Sequence, residues 1–140
     1  MEILKQNILL IEDNEDDAFF ISLALSDAGF EHPPYSATGG EEAIAYLAGE
    51  GVYADRVRHP IPGFVLLDLQ LPGKHGFDVL RWLSNHAALR QLVVVVLTSS
   101  PHSKDIGLAY KLGARSFLVK PLNQPQLREL IEFLKTVRID

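Results

Sequence analysis

Phe64-Val65-Leu66-Leu67-Asp68 and Val93-Val94-Val95-Val96-Leu97-Thr98 are the stretches that decide the fold. Each is a short apolar run without polar alternation. A strand of that kind has to be covered on both faces, as parallel strands between helical layers are. Ile8-Leu9-Leu10-Ile11 and Ser116-Phe117-Leu118-Val119 read the same way, and Pro34-Tyr35-Ser36-Ala37 is a weaker fifth run. Helical periods fall between them. Ala18, Ile21, Leu25 and Ala28 form one apolar stripe, with Gly29 placed to close the helix. Thr38-Gly39-Gly40-Glu41 matches a capping box ahead of Ala43, Ile44 and Leu47. Phe77, Leu80 and Leu83 mark a third helix. Ser100-Pro101 starts a fourth, carrying Ile106, Ala109 and Tyr110. Asn123, with Gln126 three residues on, opens a fifth whose stripe is Leu127, Leu130, Ile131 and Leu134. Strand and helix therefore alternate five times, which predicts an α/β, doubly wound parallel sheet.

The whole chain fits one domain, residues 1–140. Its longest apolar run, Leu92 to Leu97, is far short of the roughly 20 residues that span a bilayer. The start, Met1-Glu2-Ile3-Leu4-Lys5, lacks the pattern of a secretion signal. With no cysteine there is no disulfide, thiolate metal site or cysteine nucleophile, which suits a reducing cytoplasm. A net charge of −5 without any Lys/Arg cluster speaks against nucleic acid as a partner.

In a doubly wound sheet the site lies at the carboxyl ends of the strands. The first strand runs into Glu12-Asp13-Asn14-Glu15-Asp16-Asp17. That loop repels a nucleotide or flavin phosphate, which needs a glycine-rich, neutral or basic cradle. Glu15, Asp16 and Asp17 suit the positive end of a helix dipole; Glu12 and Asp13 sit too early for that role. Asp68 follows an apolar run directly, where a carboxylate is costly unless paired or metal-bound. The fourth strand ends in Thr98-Ser99-Ser100, which supplies hydroxyls, although Ser100 also reads as a helix cap. The fifth ends in Lys120-Pro121, where the lysine either snorkels outward or meets the carboxylates. Carboxylates about 4 Å apart repel by about 4 kcal/mol at an effective dielectric of 20. A divalent cation relieves this, and all-oxygen ligands select a hard ion such as Mg²⁺. A lysine and a hydroxyl opposite would then hold phosphoryl oxygens on a carboxylate.

At these residues the chain resembles the receiver domain of two-component response regulators. The resemblance rests on Glu12-Asp13, on Asp68 with Leu71-Pro72-Gly73 and Gly76, on Thr98-Ser99 and on Lys120-Pro121, in that order along the chain. It implies a flavodoxin-like five-stranded sheet of order 2-1-3-4-5 with five helices. It implies Asp68 as phosphoacceptor from a sensor histidine kinase. Asp13, Asp68 and the backbone carbonyl of Gln70 would bind Mg²⁺, with Glu12 acting through water. Thr98 and Lys120 would contact the phosphoryl group, and Lys120-Pro121 would be cis. Gln70 and Ser100 would tune self-dephosphorylation. Phe117 stands at the family's aromatic switch position, and plain core packing explains it equally well. The switched surface would be the face of the fourth helix, fifth strand and fifth helix, used for protein binding or a homodimer. A hydrolase using an aspartyl intermediate commonly carries a second acid two residues after its nucleophile, and Gln70 stands there.

Asp13 to Asp68 is longer than is usual in the family, and the extra residues fall between Gly49 and Pro62. With that enlarged loop the chain is similar to the single-domain regulators that accompany bacterial phytochromes, so the kinase is expected to be of that kind. The loop is either a tolerated surface insertion or a partner site. With Asp140 following the fifth helix, no output domain is expected.

Overall fold

A computed structural model describes residues 3–71, 75–89, 92–99 and 103–137. It has five parallel strands: β1 (Ile8–Ile11), β2 (Tyr35–Ala37), β3 (Phe64–Asp68), β4 (Val93–Thr98) and β5 (Ser116–Val119). Their order is β2-β1-β3-β4-β5. The helices are α1 (Glu15–Asp27), α2 (Gly40–Ala48), α3 (Gly76–Ser84), α4 (Ser103–Lys111) and α5 (Gln124–Thr136). Every residue of β1, β3 and β4 is buried, as their unbroken apolar runs require.

Strand alternation sorts these residues into two cores. Leu9, Ile11, Val65, Leu67, Val94 and Val96 face α2, α3 and α4 through Leu47, Val79, Leu80 and Ala109. Ile8, Leu10, Phe64, Leu66, Val95 and Leu97 face α1 and α5 through Ile21, Leu25, Leu127 and Leu130. Strand order reverses direction between β1 and β3, so their adjacent carboxyl ends form the topological switch point.

The helix ends differ in detail from their sequence signals. Gly29 does close α1, at φ 105°. The capping box expected at Thr38 and Glu41 is displaced by one residue. Gly39 is the N-cap without a side-chain bond, and Glu42 Oε1 accepts from Thr38 N at 2.7 Å. Asn123 Oδ1 caps α5 by accepting from Gln126 N at 2.9 Å. The Gln126 side chain does not return to the cap; it bonds both backbone groups of Val119. His75 caps α3, its Nδ1 accepting from Phe77 N while Asp78 Oδ2 accepts from His75 N. Ser100-Pro101, expected to cap α4, lies outside the described residues.

The segment between Gly49 and Pro62 is folded. It carries a single 3₁₀ turn, Gly51–Ala54, and is held by Arg56. Arg56 Nη1 donates to Tyr46 O (2.9 Å) and His59 O (3.2 Å), and Nη2 donates to Leu47 O (3.0 Å). Tyr46 O and Leu47 O belong to the last turn of α2, where a cation is favourable. The Tyr46 hydroxyl donates to Pro60 O at 2.9 Å, and Tyr53 and His59 pack edge to face on each other. Burial pushes the Tyr46 phenol up to about 12. The segment lies at the amino end of β3, at the opposite pole from the switch point. Replacing Arg56 by Ala is expected to lower unfolding free energy by about 2 kcal/mol, because three charge-assisted bonds are lost from a half-buried site. Urea denaturation checks this, and amide exchange in residues 49–62 should rise with it.

Candidate functional site

The backbone next to the switch point stays on the sheet ladder one residue past the strands. Glu12 N donates to Ala37 O at 3.0 Å, Leu69 N to Leu97 O at 3.1 Å and Lys120 N to Thr98 O at 2.8 Å. The side chains of Glu12, Asp68 and Lys120 are therefore aimed by rigid strand ends. The amino end of α3 presses on the same place. A Cβ on Gly76 would meet Asp68 O and Leu69 Cα at 2.7 Å, so this close approach demands glycine.

Lys120 points inward and does not snorkel. From the end of β5 its stem reaches past β4 to the ends of β3 and β1. Nζ lies 3.0 Å from Asp68 Oδ2 and 3.2 Å from Asp17 Oδ2, and it is in ion contact with Glu12 Oε1. Glu12 and Asp68 are buried, at 4% and 3% exposure. Asp68 Oδ1 also accepts from Gln70 N at 2.9 Å, and Glu12 Oε2 accepts from Asn14 N at 3.2 Å.

Burial is the main influence on Glu12 and pushes its carboxyl up to about 7. The Lys120 ammonium opposes that, neighbouring Asp68 adds to it, and the Asn14 N–H opposes it again. For Lys120, burial works against the charge, but the bonds to Glu12 and Asp68 outweigh it and hold the ammonium above the ordinary lysine range.

Glu12, Asp13 and Asp68 each offer a carboxylate oxygen, and these atoms lie within 4.8 Å of one another. Asp13 is the exposed member of the three. An all-oxygen set with two buried carboxylates and one ammonium between them carries excess negative charge. That donor chemistry fits a hard divalent cation. Thr98 is buried at the end of β4, beside the strand that carries Asp68. The Lys120-Pro121 peptide is cis. Phe117 is half-buried on β5, packed against the α2–α3–α4 core and lining a cavity with Glu129 and Phe133. Gln70 is exposed on the loop after β3, and Ser100 lies outside the described residues.

Sequence reasoning assigned Asp17 to the helix dipole and missed its bond to Lys120. Asn14, three residues before Asp17, was the available signal, because a cap at that spacing fixes where the acid stands. Asn14 Oδ1 accepts from Asp17 N at 2.9 Å. The capping role of His75 carried no sequence signal, because histidine is not among the preferred caps.

A buried carboxylate, an acidic cluster and a lysine meet at the switch point of this fold. The chain belongs to the response regulator receiver domain family, which it matches over residues 8–132. It is 31% identical to response regulator Rcp1 of Synechocystis sp. over 129 residues, 92% of this chain and 86% of Rcp1. The Mn²⁺-bound structure of Rcp1 superposes with a TM-score of 0.78, covering 96% of this chain and 99% of that one. The bacteriophytochrome response regulator AtBRR is 36% identical, with a TM-score of 0.83 and coverage of 96% and 95%. The phosphorylated cyanobacterial phytochrome response regulator RcpA is 34% identical, with a TM-score of 0.78 and coverage of 94% and 91%. The fold, the sheet order and the likeness to phytochrome-associated regulators thus agree with the sequence reading. As a receiver domain the chain is a two-component signalling protein, whose family partner is a sensor histidine kinase. No described helix is long and apolar enough to cross a membrane.

The raised Glu12 makes the metal-free protein pH-sensitive. Its folded value, about 7, lies above the ordinary 4.5 of a free glutamate, so the folded state binds this proton more tightly than the unfolded chain does. Stability from this group is present below about 4.5 and is lost as pH rises through about 7. In EDTA, Glu12→Gln should therefore gain on wild type between pH 5 and pH 8, by at most about 3 kcal/mol. Urea denaturation across that range checks it; parallel curves for the two proteins would contradict it.

Proposed function

We propose that Asp68 accepts a phosphoryl group from the phosphohistidine of a sensor histidine kinase. The observation that carries this reading is the Lys120 ammonium 3.0 Å from a buried Asp68 carboxylate, inside an oxygen-only acidic cluster. An Asp68 oxygen attacks phosphorus, the P–N bond breaks, and its electron pair returns to the imidazole. Lys120 and the Thr98 hydroxyl donate to the transferred oxygens, as preorganised charge stabilisation requires. Asp13, Asp68 and the Gln70 carbonyl would hold Mg²⁺, with Glu12 acting through water. When bound, the ion neutralises the carboxylates and the incoming phosphoryl charge. The only reactions the chain catalyses are this transfer to itself and the later hydrolysis, with Gln70 and Ser100 beside the pocket tuning the second. Gln70 offers no acid for turnover of external esters.

Phosphorylation raises the negative charge at Asp68 and adds acceptor oxygens. Thr98 turns to bond them, Phe117 fills the space behind it, and the α4-β5-α5 face changes shape. Phenylalanine has no hydroxyl, so this switch works through packing alone. A shift from 1:99 to 99:1 needs about 5.5 kcal/mol, and a single charge-assisted bond gives about 1.5–3. Several contacts therefore act together. The output is protein binding, phosphate relay or homodimer rearrangement by a cytoplasmic regulator, which uses neither nucleic acid nor membrane. The kinase is of the bacterial phytochrome kind, by likeness to AtBRR and RcpA.

Wild type should take one label per chain from acetyl phosphate when Mg²⁺ is present and lose it in EDTA. Asp68→Asn should take none. Equal labelling of the variant, read by phosphate-affinity electrophoresis and intact mass, would refute the assignment.

A further inference from the structure

We infer that Asp17 is a positioning residue for the phosphoacceptor site, acting through Lys120. The inference rests on the reading of Asp68 as phosphoacceptor. In a capping box the acidic residue three positions after the cap folds back onto the cap's own N–H. Asp17 stands at that position behind Asn14, and its N–H does bond Asn14 Oδ1. The N–H of Asn14, however, is already taken by Glu12 Oε2 at 3.2 Å. The Asp17 carboxylate is thereby released from local capping. It turns instead to Lys120 Nζ, 3.2 Å away and 103 residues distant in sequence.

A lysine ammonium has three N–H donors. Glu12, Asp68 and Asp17 give it three acceptors from three elements: the end of β1, the end of β3 and the first turn of α1. Two of these anchors are buried and fixed by the sheet. Asp17 is half-exposed, at 46%, on the solvent side of a lysine that is itself 16% exposed. Without it the third N–H is left to mobile water, and the ammonium settles onto the nucleophile. With it, one N–H stays fixed on Asp68, where phosphoryl oxygens arrive, and part of the lysine charge is balanced away from Asp68. The effect falls on the rate of transfer at saturation and leaves donor binding unchanged.

Asp16 supplies the control. It sits one residue earlier in the same first turn and is exposed, so it shares the dipole role without the Lys120 contact. With saturating acetyl phosphate and Mg²⁺, Asp17→Asn should slow labelling about threefold, the size a half-exposed ion pair supports. The half-saturating acetyl phosphate concentration should stay unchanged. Asp17→Glu should recover most of the rate, and Asp16→Asn should match wild type. In a Lys120→Ala background, Asp17→Asn should change nothing further. Without any phosphodonor, the ¹⁵N ammonium resonance of Lys120 should move in Asp17→Asn and stay put in Asp16→Asn.

Equal slowing by Asp16→Asn, full additivity with Lys120→Ala, or an unmoved Lys120 resonance would overturn the inference. A labelled wild type matched in rate by Asp17→Asn would overturn this inference alone. A wild type that takes no label would overturn the phosphoacceptor reading and this inference with it.

Discussion

Glu12 and Asp68 lie buried at neighbouring strand ends and share the ammonium of Lys120. In a low-dielectric site two carboxylates cannot both remain ionised without a cation between them. Lys120 supplies it from the far edge of the sheet, and the rest of the carboxyl pole is arranged around that reach. Its backbone is pinned to Thr98 O, and the apolar stem crosses the ends of β4 and β3 before the charge meets its partners. The ion contacts therefore tie β5 to β1 and to α1, elements that the strand ladder leaves unconnected.

The same arrangement explains why the site is charged and yet stable. Burial holds the Glu12 carboxyl near 7, so keeping it ionised at neutral pH costs folding free energy. The two apolar clusters on either side of the sheet offset that cost. They are built from strands with no exposed residue in β1, β3 or β4. A cation among Glu12, Asp13 and Asp68 would relieve the repulsion that folding leaves in place, coupling metal binding to the stability of this pole.

Much of this was legible in the sequence, for a physical reason. Strands buried on both faces must be apolar throughout, and they end where the first polar residue appears. Ile8–Ile11, Phe64–Leu67 and Val93–Leu97 therefore announced the sheet, and Glu12, Asp68 and Thr98 announced its working edge. What could not be read was side-chain choice among neighbours. Thr38 and Glu41 satisfy a capping pattern, yet Glu42 reaches Thr38 N, because one residue of helical phase decides the contact. The Gly49–Pro62 segment read equally as a surface insertion or a partner site, since nothing in its sequence says that Arg56 will find the carbonyls of α2.

Asp17 marks the boundary between these two kinds of information. Five acidic residues within Glu12–Asp17 are uniform in sequence, and dipole complementarity alone accounts for the later ones. Their roles separate only through hydrogen-bond competition. Glu12 is drawn in by Lys120 and, through its second oxygen, occupies Asn14 N. Asp17, denied its local partner, becomes a tertiary one. One carboxylate's burial thus redirects another in the first turn of α1: the strand end sets the cap, the cap sets the acid, and the acid sets the lysine that faces Asp68.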